Sequence, residues 1–131
     1  MKDSNMAHGT ARIGKDHYRT EINVGGHDLI GDEGPGLGGQ NLGPAPYDFL
    51  LAGLGAVTAI TLRMYADRKG WPLESVDVSL RLLSKDGLRV DRVLTIAGLD
   101  DEQKARLADI AERTPVTLTL KGGLPIDTRL A

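Results

Sequence analysis

The chain has 131 residues, with 16 Lys+Arg against 18 Asp+Glu and a formal net charge of −2. That length suits one domain with a real core, although small domains often gain from association. The slight acidity argues against a nucleic-acid binder, which needs a basic stripe, and the absence of cysteine excludes a disulfide framework, a thiolate metal site and a cysteine nucleophile.

The opening "MKDSNMAHGT" is polar and lacks the apolar run of a secretory signal, so the cytoplasm is the expected compartment and residues 1–9 are expected to be disordered. In "HYRTEINV", His17–Val24, the residues Tyr18, Thr20, Ile22 and Val24 alternate with Arg19, Glu21 and Asn23, the period of a half-buried strand. Gly25–Gly26 signals a hairpin turn, because glycine takes positive φ at little steric cost, and "HDLIGDE" returns as the second strand. "GPGLGGQNLGPAP", Gly34–Pro46, reads as a close-packed loop; its glycine spacing lacks the strand-to-helix setting of a dinucleotide site. A helix begins near Pro46–Tyr47, is uncharged from Phe49 to Leu62, and stops at Gly70 after Arg68 and Lys69. The uncharged run is shorter than the about 20 apolar residues of a bilayer crossing, so a core helix is predicted and no membrane partner.

"VDVSLRLL", Val76–Leu83, and "LRVDRVLTIAG", Leu88–Gly98, predict a pair of strands around an "SKDG" turn. Asp100 with Gln103 approximates a capping box that opens a helix to about Arg113, with Leu107, Ile110 and Ala111 on its apolar face. Beyond Pro115, "VTLTL", Val116–Leu120, is expected as a strand, and "LPIDTRL", Leu124–Leu130, as a short final one. This order predicts a single α+β domain spanning 1–131, not a parallel βαβ sheet.

On the long helix, Leu50, Leu54, Val57, Thr61 and Met64 fall in one stripe at about 100° per residue. Ala52, Ala56 and Ala59 form a small-residue stripe beside Gly55. Gly53 and Gly55 each cost roughly 1 kcal/mol against alanine inside a helix, which implies close approach of another backbone. A helix apolar on most sides must be covered on most sides, so a second copy is expected to pack against the small stripe. Trp71 reads as a packing anchor, and "RMYADRKGW", which opens with Arg63 after the uncharged run, combines cations with aromatics in the composition of a surface cation–π contact.

Elsewhere, chemistry is sparse. His8, His17 and His27 lack metal-ligand spacing, so no metal and no other cofactor is expected. Asp32–Glu33 reads as a loop pair and Asp100–Asp101–Glu102 as the first turn of a helix, where the dipole favours acids. The serines lack a nucleophile-elbow setting.

The stretch "LGGQNLGPAPYDFLLAGLGAVTAITLRMYADRKGWPLESVDVSL" and the later "RVLTIAGLDDEQKARLADIAERTPVTLTL" resemble the OsmC/Ohr family, the osmotically inducible protein C and organic hydroperoxide resistance proteins of the oxidative-stress response. The likeness covers about residues 17–130. It implies an intertwined α+β homodimer with β-sheets shared between subunits around two central helices. It also implies a thiol peroxidase, in which one cysteine on the central helix attacks a hydroperoxide and a second resolves the sulfenic acid as a disulfide. The positions matching these cysteines are Val57 and Thr114. Valine offers no lone pair, and a threonine hydroxyl is a weak nucleophile without a base, so no active catalytic residue and no peroxidase activity is expected.

Relatives carry a glutamate before the apolar helical run and an arginine from the N-terminal strands. Tyr47 stands near the glutamate position with Asp48 the nearest acid, and Arg12 and Arg19 are the candidate arginines, each better read as a solvated strand charge because neither sits in a matching motif. Asp48 falls nearly opposite Val57 on the helix and reads better as an N-terminal helix charge. The resemblance thus implies a dimer-interface pocket of Tyr47, Asp48, Leu54, Val57, Thr61 and Thr114 that takes a small apolar ligand. The alternative is a cysteine-depleted form of an active organic hydroperoxide reductase.

Overall fold

The computed structural model describes residues 6–131. Its elements are β1 (Gly9–Ile13), β2 (Thr20–Val24), β3 (His27–Gly31), α1 (Pro46–Lys69), β4 (Ser75–Ser84), β5 (Leu88–Ala97), α2 (Asp101–Ala111) and α3 (Pro115–Gly122), with a 3-10 turn at Pro35–Leu37. The described residues form two compact units, the first ending at Leu50 and the second spanning Leu51–Ala131. The mixture of helices with antiparallel sheets is the predicted α+β class, in the order βββαββαα.

In the first unit, β1, β2 and β3 form an antiparallel sheet in that order. Gly25 and Gly26, at φ 58° and 83°, close the β2–β3 hairpin with Val24 opposite His27. Two positive φ values in succession define the tight turn whose twist suits a hairpin. The strand β1 is a difference from expectation. Each of its residues is exposed, so it carries no in–out alternation to reveal it, and it is held by pairing with β2 from Gly9↔Val24 to Ile13↔Thr20. The disorder expected for residues 1–9 falls partly on 1–5, outside the described residues; Gly9 is in β1. The loop after β3 is close-packed: an added Cβ at Gly39 or Gly43 would collide with the backbone carbonyl of Glu33 or Ile30.

The second unit is built on the β4–β5 hairpin, paired from Ser75↔Ala97 to Ser84↔Leu88. Its core is Leu62 and Ala66 of α1, Leu73, and Leu107 and Ala111 of α2, with Tyr65, Trp71, Leu94, Ile96 and Ile110 packed around them. Trp71 meets Tyr65 edge-on at 5.5 Å, and Lys69 and Arg106 stand 5.7 and 5.8 Å from the Tyr65 ring. α1 ends as predicted. Gly70 is left-handed at φ 70°, its N–H donates to Asp67 O (3.0 Å), and the Trp71 N–H donates to Ala66 O (2.8 Å). This paired closure satisfies carbonyls that the last turn would leave orphaned. The capping box of α2 is complete: Gln103 N–H donates to Asp100 Oδ1 (2.8 Å) and Asp100 N–H donates to Gln103 Oε1 (3.1 Å).

Three expectations are corrected. Residues 116–120 belong to helix α3, not to a strand. Pro115 at the first helical position presets φ, and buried hydrogen bonds to Thr117 override the β-propensity of alternating threonines. Residues 124–131 form no regular element, and Leu124, Ile126 and Leu130 are exposed. On α1 the buried stripe is Leu54, Thr58, Leu62 and Ala66. Of the stripe read from the sequence only Leu54 is buried; Val57 and Thr61 are half-buried, and Leu50 and Met64 are exposed. The spacing of four selects threonine, whose hydroxyl has internal partners.

Gly55 admits Leu80, whose Cδ1 would lie 2.9 Å from an added Cβ, whereas Gly53 faces open space. Ala52, Ala56, Ile60 and Met64 are also exposed. By length and a mean hydropathy of 1.5, the 24-residue α1 could itself cross a bilayer, which the shorter uncharged run did not indicate. Within it, Leu62 and Ala66 are fully enclosed in the core of the second unit.

Candidate functional site

The second unit places the Thr114 position in a hydrogen-bond network organised by Arg92. Along β5 the half-buried side chains include Arg92, Leu94 and Ile96, two apart, so the strand's inward face ends in a cation. The Arg92 side chain is 11% exposed. Its Nη1 donates to Thr58 Oγ1 on α1 (3.0 Å) and to Thr117 Oγ1 on α3 (2.9 Å). Its Nη2 donates to the Ala111 carbonyl (3.0 Å) and to Glu112 Oε2 (3.0 Å). Planar guanidinium geometry suits such divergent acceptors, which a lysine could not reach together.

The hydroxyls have definite directions. Thr58 Oγ1 donates to the Leu54 carbonyl at 2.6 Å, so it meets Arg92 as an acceptor. Thr114 and Thr117 share a hydrogen bond of 2.6 Å between their Oγ1 atoms. Thr114 is the N-cap of α3 and only 1% exposed. Its hydroxyl has no imidazole or carboxylate within hydrogen-bond reach among the described residues; its side-chain partner is another hydroxyl. A threonine without a base is not an activated nucleophile. Glu112 faces cations: Lys121 (3.2 Å) and then Arg92 hold its carboxyl below the usual glutamate range.

The predicted site residues separate in consequence. Val57 is half-buried and next in sequence to Thr58, the network's contact on α1. Leu54 is buried and enters through its carbonyl. Thr61 is half-buried and outside the network. In the first unit, Tyr47 is exposed, and the Asp48 carboxylate accepts the Ala45 N–H at 2.9 Å, closing the first turn of α1. Of the two candidate arginines, Arg19 pairs with Glu21 (2.9 Å) on the exposed surface, and Arg12 lies on the exposed β1.

Two residues that carry local structure were missed. Arg92 had a signal in the sequence: period two aligns it with Leu94 and Ile96. Asp32, in the first unit, is 3% exposed. Its carboxylate accepts four backbone N–H groups, from Tyr18 (3.1 Å), Glu33 (2.7 Å), Gln40 (3.2 Å) and Leu42 (3.1 Å). Burial opposes its charge, but the amides together prevail and lower its pKa. The first unit also holds a cavity of about 500 Å³ beside Asp32, and none of the six expected pocket residues lines it.

The sequence matches the family described as OsmC-like protein over residues 38–129. No curated protein matches it. Among solved structures, the fold is similar to an OsmC-like protein from Mycoplasma pneumoniae, with 20% identity, 93% of this chain and 90% of that one covered, and a TM-score of 0.75. It is likewise similar to an organic hydroperoxide resistance protein OsmC from Legionella pneumophila (21% identity, 92% and 93% covered, TM-score 0.68). A third likeness is to the organic hydroperoxide resistance protein OhrB of Bacillus subtilis (22% identity, 89% and 91% covered, TM-score 0.63). With the family matched over most of its length and the fold shared, this chain belongs to the OsmC-like protein family.

Proposed function

We propose that this chain acts as a cytoplasmic homodimer that keeps the OsmC scaffold without thiol peroxidase chemistry, and holds a small apolar molecule beside Val57. One observation carries the reading: at the positions matching the family cysteines stand a hydrocarbon side chain, Val57, and a hydroxyl, Thr114, already committed to Thr117. No thiol exists elsewhere in the chain to form a sulfenic acid or resolve one. The exposed Ala52, Gly53, Ala56, Ile60 and Met64 on α1 support a self-association face, since among the described residues nothing beyond its own helix and chain neighbours stands within 4 Å of a Cβ added at Gly53. The test is consumption of an organic hydroperoxide by the purified protein with a dithiol. No consumption above background is expected, and turnover would overturn the reading. Fatty and aromatic probes are expected to raise the melting temperature, by about 2.7 kcal/mol of stabilisation at a hundredfold excess over Kd. No rise at high excess would remove the ligand. Equilibrium sedimentation tests the dimer.

The second reading, a cysteine-depleted hydroperoxide reductase, is favoured by one observation: the Arg92 network still ties the α1 segment after Val57 to the start of α3. It predicts that Val57→Cys with Thr114→Cys consumes an organic hydroperoxide. A folded but inactive double variant would count against it.

A further inference from the structure

The cavity of the first unit plays no part in that proposal, and its chemistry differs. At about 500 Å³ it falls in the about 300–1,000 Å³ range of small-molecule sites. Its apolar walls come from Tyr18, Ile22, Pro44 and Phe49. Gly31 keeps it open: a Cβ there would stand 3.1 Å from Ile22 Cδ1 and 3.5 Å from Phe49 Cε2, inside the space between them. The charged residues that line it are Asp32 and Glu33, with no Lys, Arg or His. Asp32 is held ionised by its four amides. Glu33 enters none of the ion pairs among the described residues.

The geometry points to a binding site for a small organic cation with an apolar body, of the alkyl- or arylammonium class. Tyr18 and Phe49 bring two aromatic rings to the lining, and an aromatic ring face attracts such a cation. The two carboxylates complement its charge and repel anions. The proline and isoleucine walls accept its hydrocarbon part, which a hydrated metal ion lacks. A neutral apolar molecule would gain the walls alone.

The test is a titration of the full chain with benzyltrimethylammonium, followed by the NMR shifts of Tyr18, Ile22 and Glu33. Neopentylbenzene, its uncharged carbon analogue, and benzenesulfonate are the controls. Saturable shifts are expected with the cation, with much weaker binding of the neutral analogue and none of the anion. Glu33→Gln, which removes charge and keeps shape, is expected to weaken the cation about three- to tenfold. Phe49→Leu is expected to weaken the cation while sparing the neutral analogue. Equal binding of all three probes, or an undiminished Glu33→Gln, would overturn the proposal. So would pocket shifts that follow protein concentration and ignore the cation, since a second copy would then fill the cavity. A ligand beside Val57 would instead move Leu54, Val57 and Thr61, so the two proposals fail separately.

Discussion

Each unit closes around one largely enclosed charge, and the two charges are satisfied in opposite ways. Asp32 collects backbone N–H groups from residues no more than 14 positions away. Arg92 gives its protons to residues 19 to 34 positions away, on α1, α3 and the α2–α3 junction. The anion shapes a loop, whereas the cation ties together helices that the chain brings near only on folding. Loss of the first should therefore disorder a segment, and loss of the second should loosen a unit.

The largest effect is expected from Arg92→Met. It leaves Thr117, Thr58 and the Ala111 carbonyl without their donor and Glu112 without its inner partner. Loss of a largely enclosed, multiply bonded cation costs about 3 kcal/mol. Urea denaturation should show it as a lower midpoint at unchanged slope. Hydrogen exchange should quicken in α3 while β2 and β3 keep their protection. An unchanged midpoint would mean that the apolar core alone holds α3.

Asp32→Asn comes next and should be local. Amides of residues 33–42 should lose protection, with β4 and β5 unaffected. The pH dependence has a definite sign. The folded-state pKa of Asp32 is lowered, so its stabilisation is present above the ordinary aspartate value of about 3.9 and is lost as pH falls through the folded value. The wild-type loop should open in that acid range, and the same loop in the Asp32→Asn variant should not show the transition. Acid titration followed by NMR checks both.

The same contrast explains what could be read beforehand. The stop at Gly70, the Gly25–Gly26 turn and the capping box are local patterns, and each forms as its residues dictate. The family motif around Val57 and Thr114 is legible for the same reason, being carried by neighbours in sequence. α3 was not legible, because "VTLTL" alternates like a strand and the buried partners of Thr117 come from β5 and from Thr114. β1 had no buried face to announce it. The α1 stripe shifted because hydrophobicity alone passes over Thr58, a polar residue made buriable by the Leu54 carbonyl and Arg92.

Thr117→Val separates the guanidinium from the hydroxyls it serves. Valine keeps the volume but removes the acceptor of Arg92 Nη1 and the partner of Thr114 Oγ1. A buried hydroxyl left without its partner costs about 1–2 kcal/mol. The double variant with Arg92→Met should cost less than the two added, because both changes sever the same bond. Strict additivity would show that Thr117 contributes through packing and not through Arg92.

Glu112→Gln should be the smallest, and it decides which partner anchors Arg92. Glu112 is held below the usual glutamate range by Lys121 first and by Arg92 after it, yet its side chain is 60% exposed. Water and salt screen such a pair, so removing the charge should cost no more than about 0.5 kcal/mol, and less again at high ionic strength. Its contribution is present above the ordinary glutamate pKa and disappears as pH falls through the lowered folded value. If Glu112→Gln approached Arg92→Met in cost, the salt bridge would be the anchor. A small, salt-sensitive loss places the anchor in the enclosed acceptors, Thr58, Thr117 and the Ala111 carbonyl, where solvent does not compete.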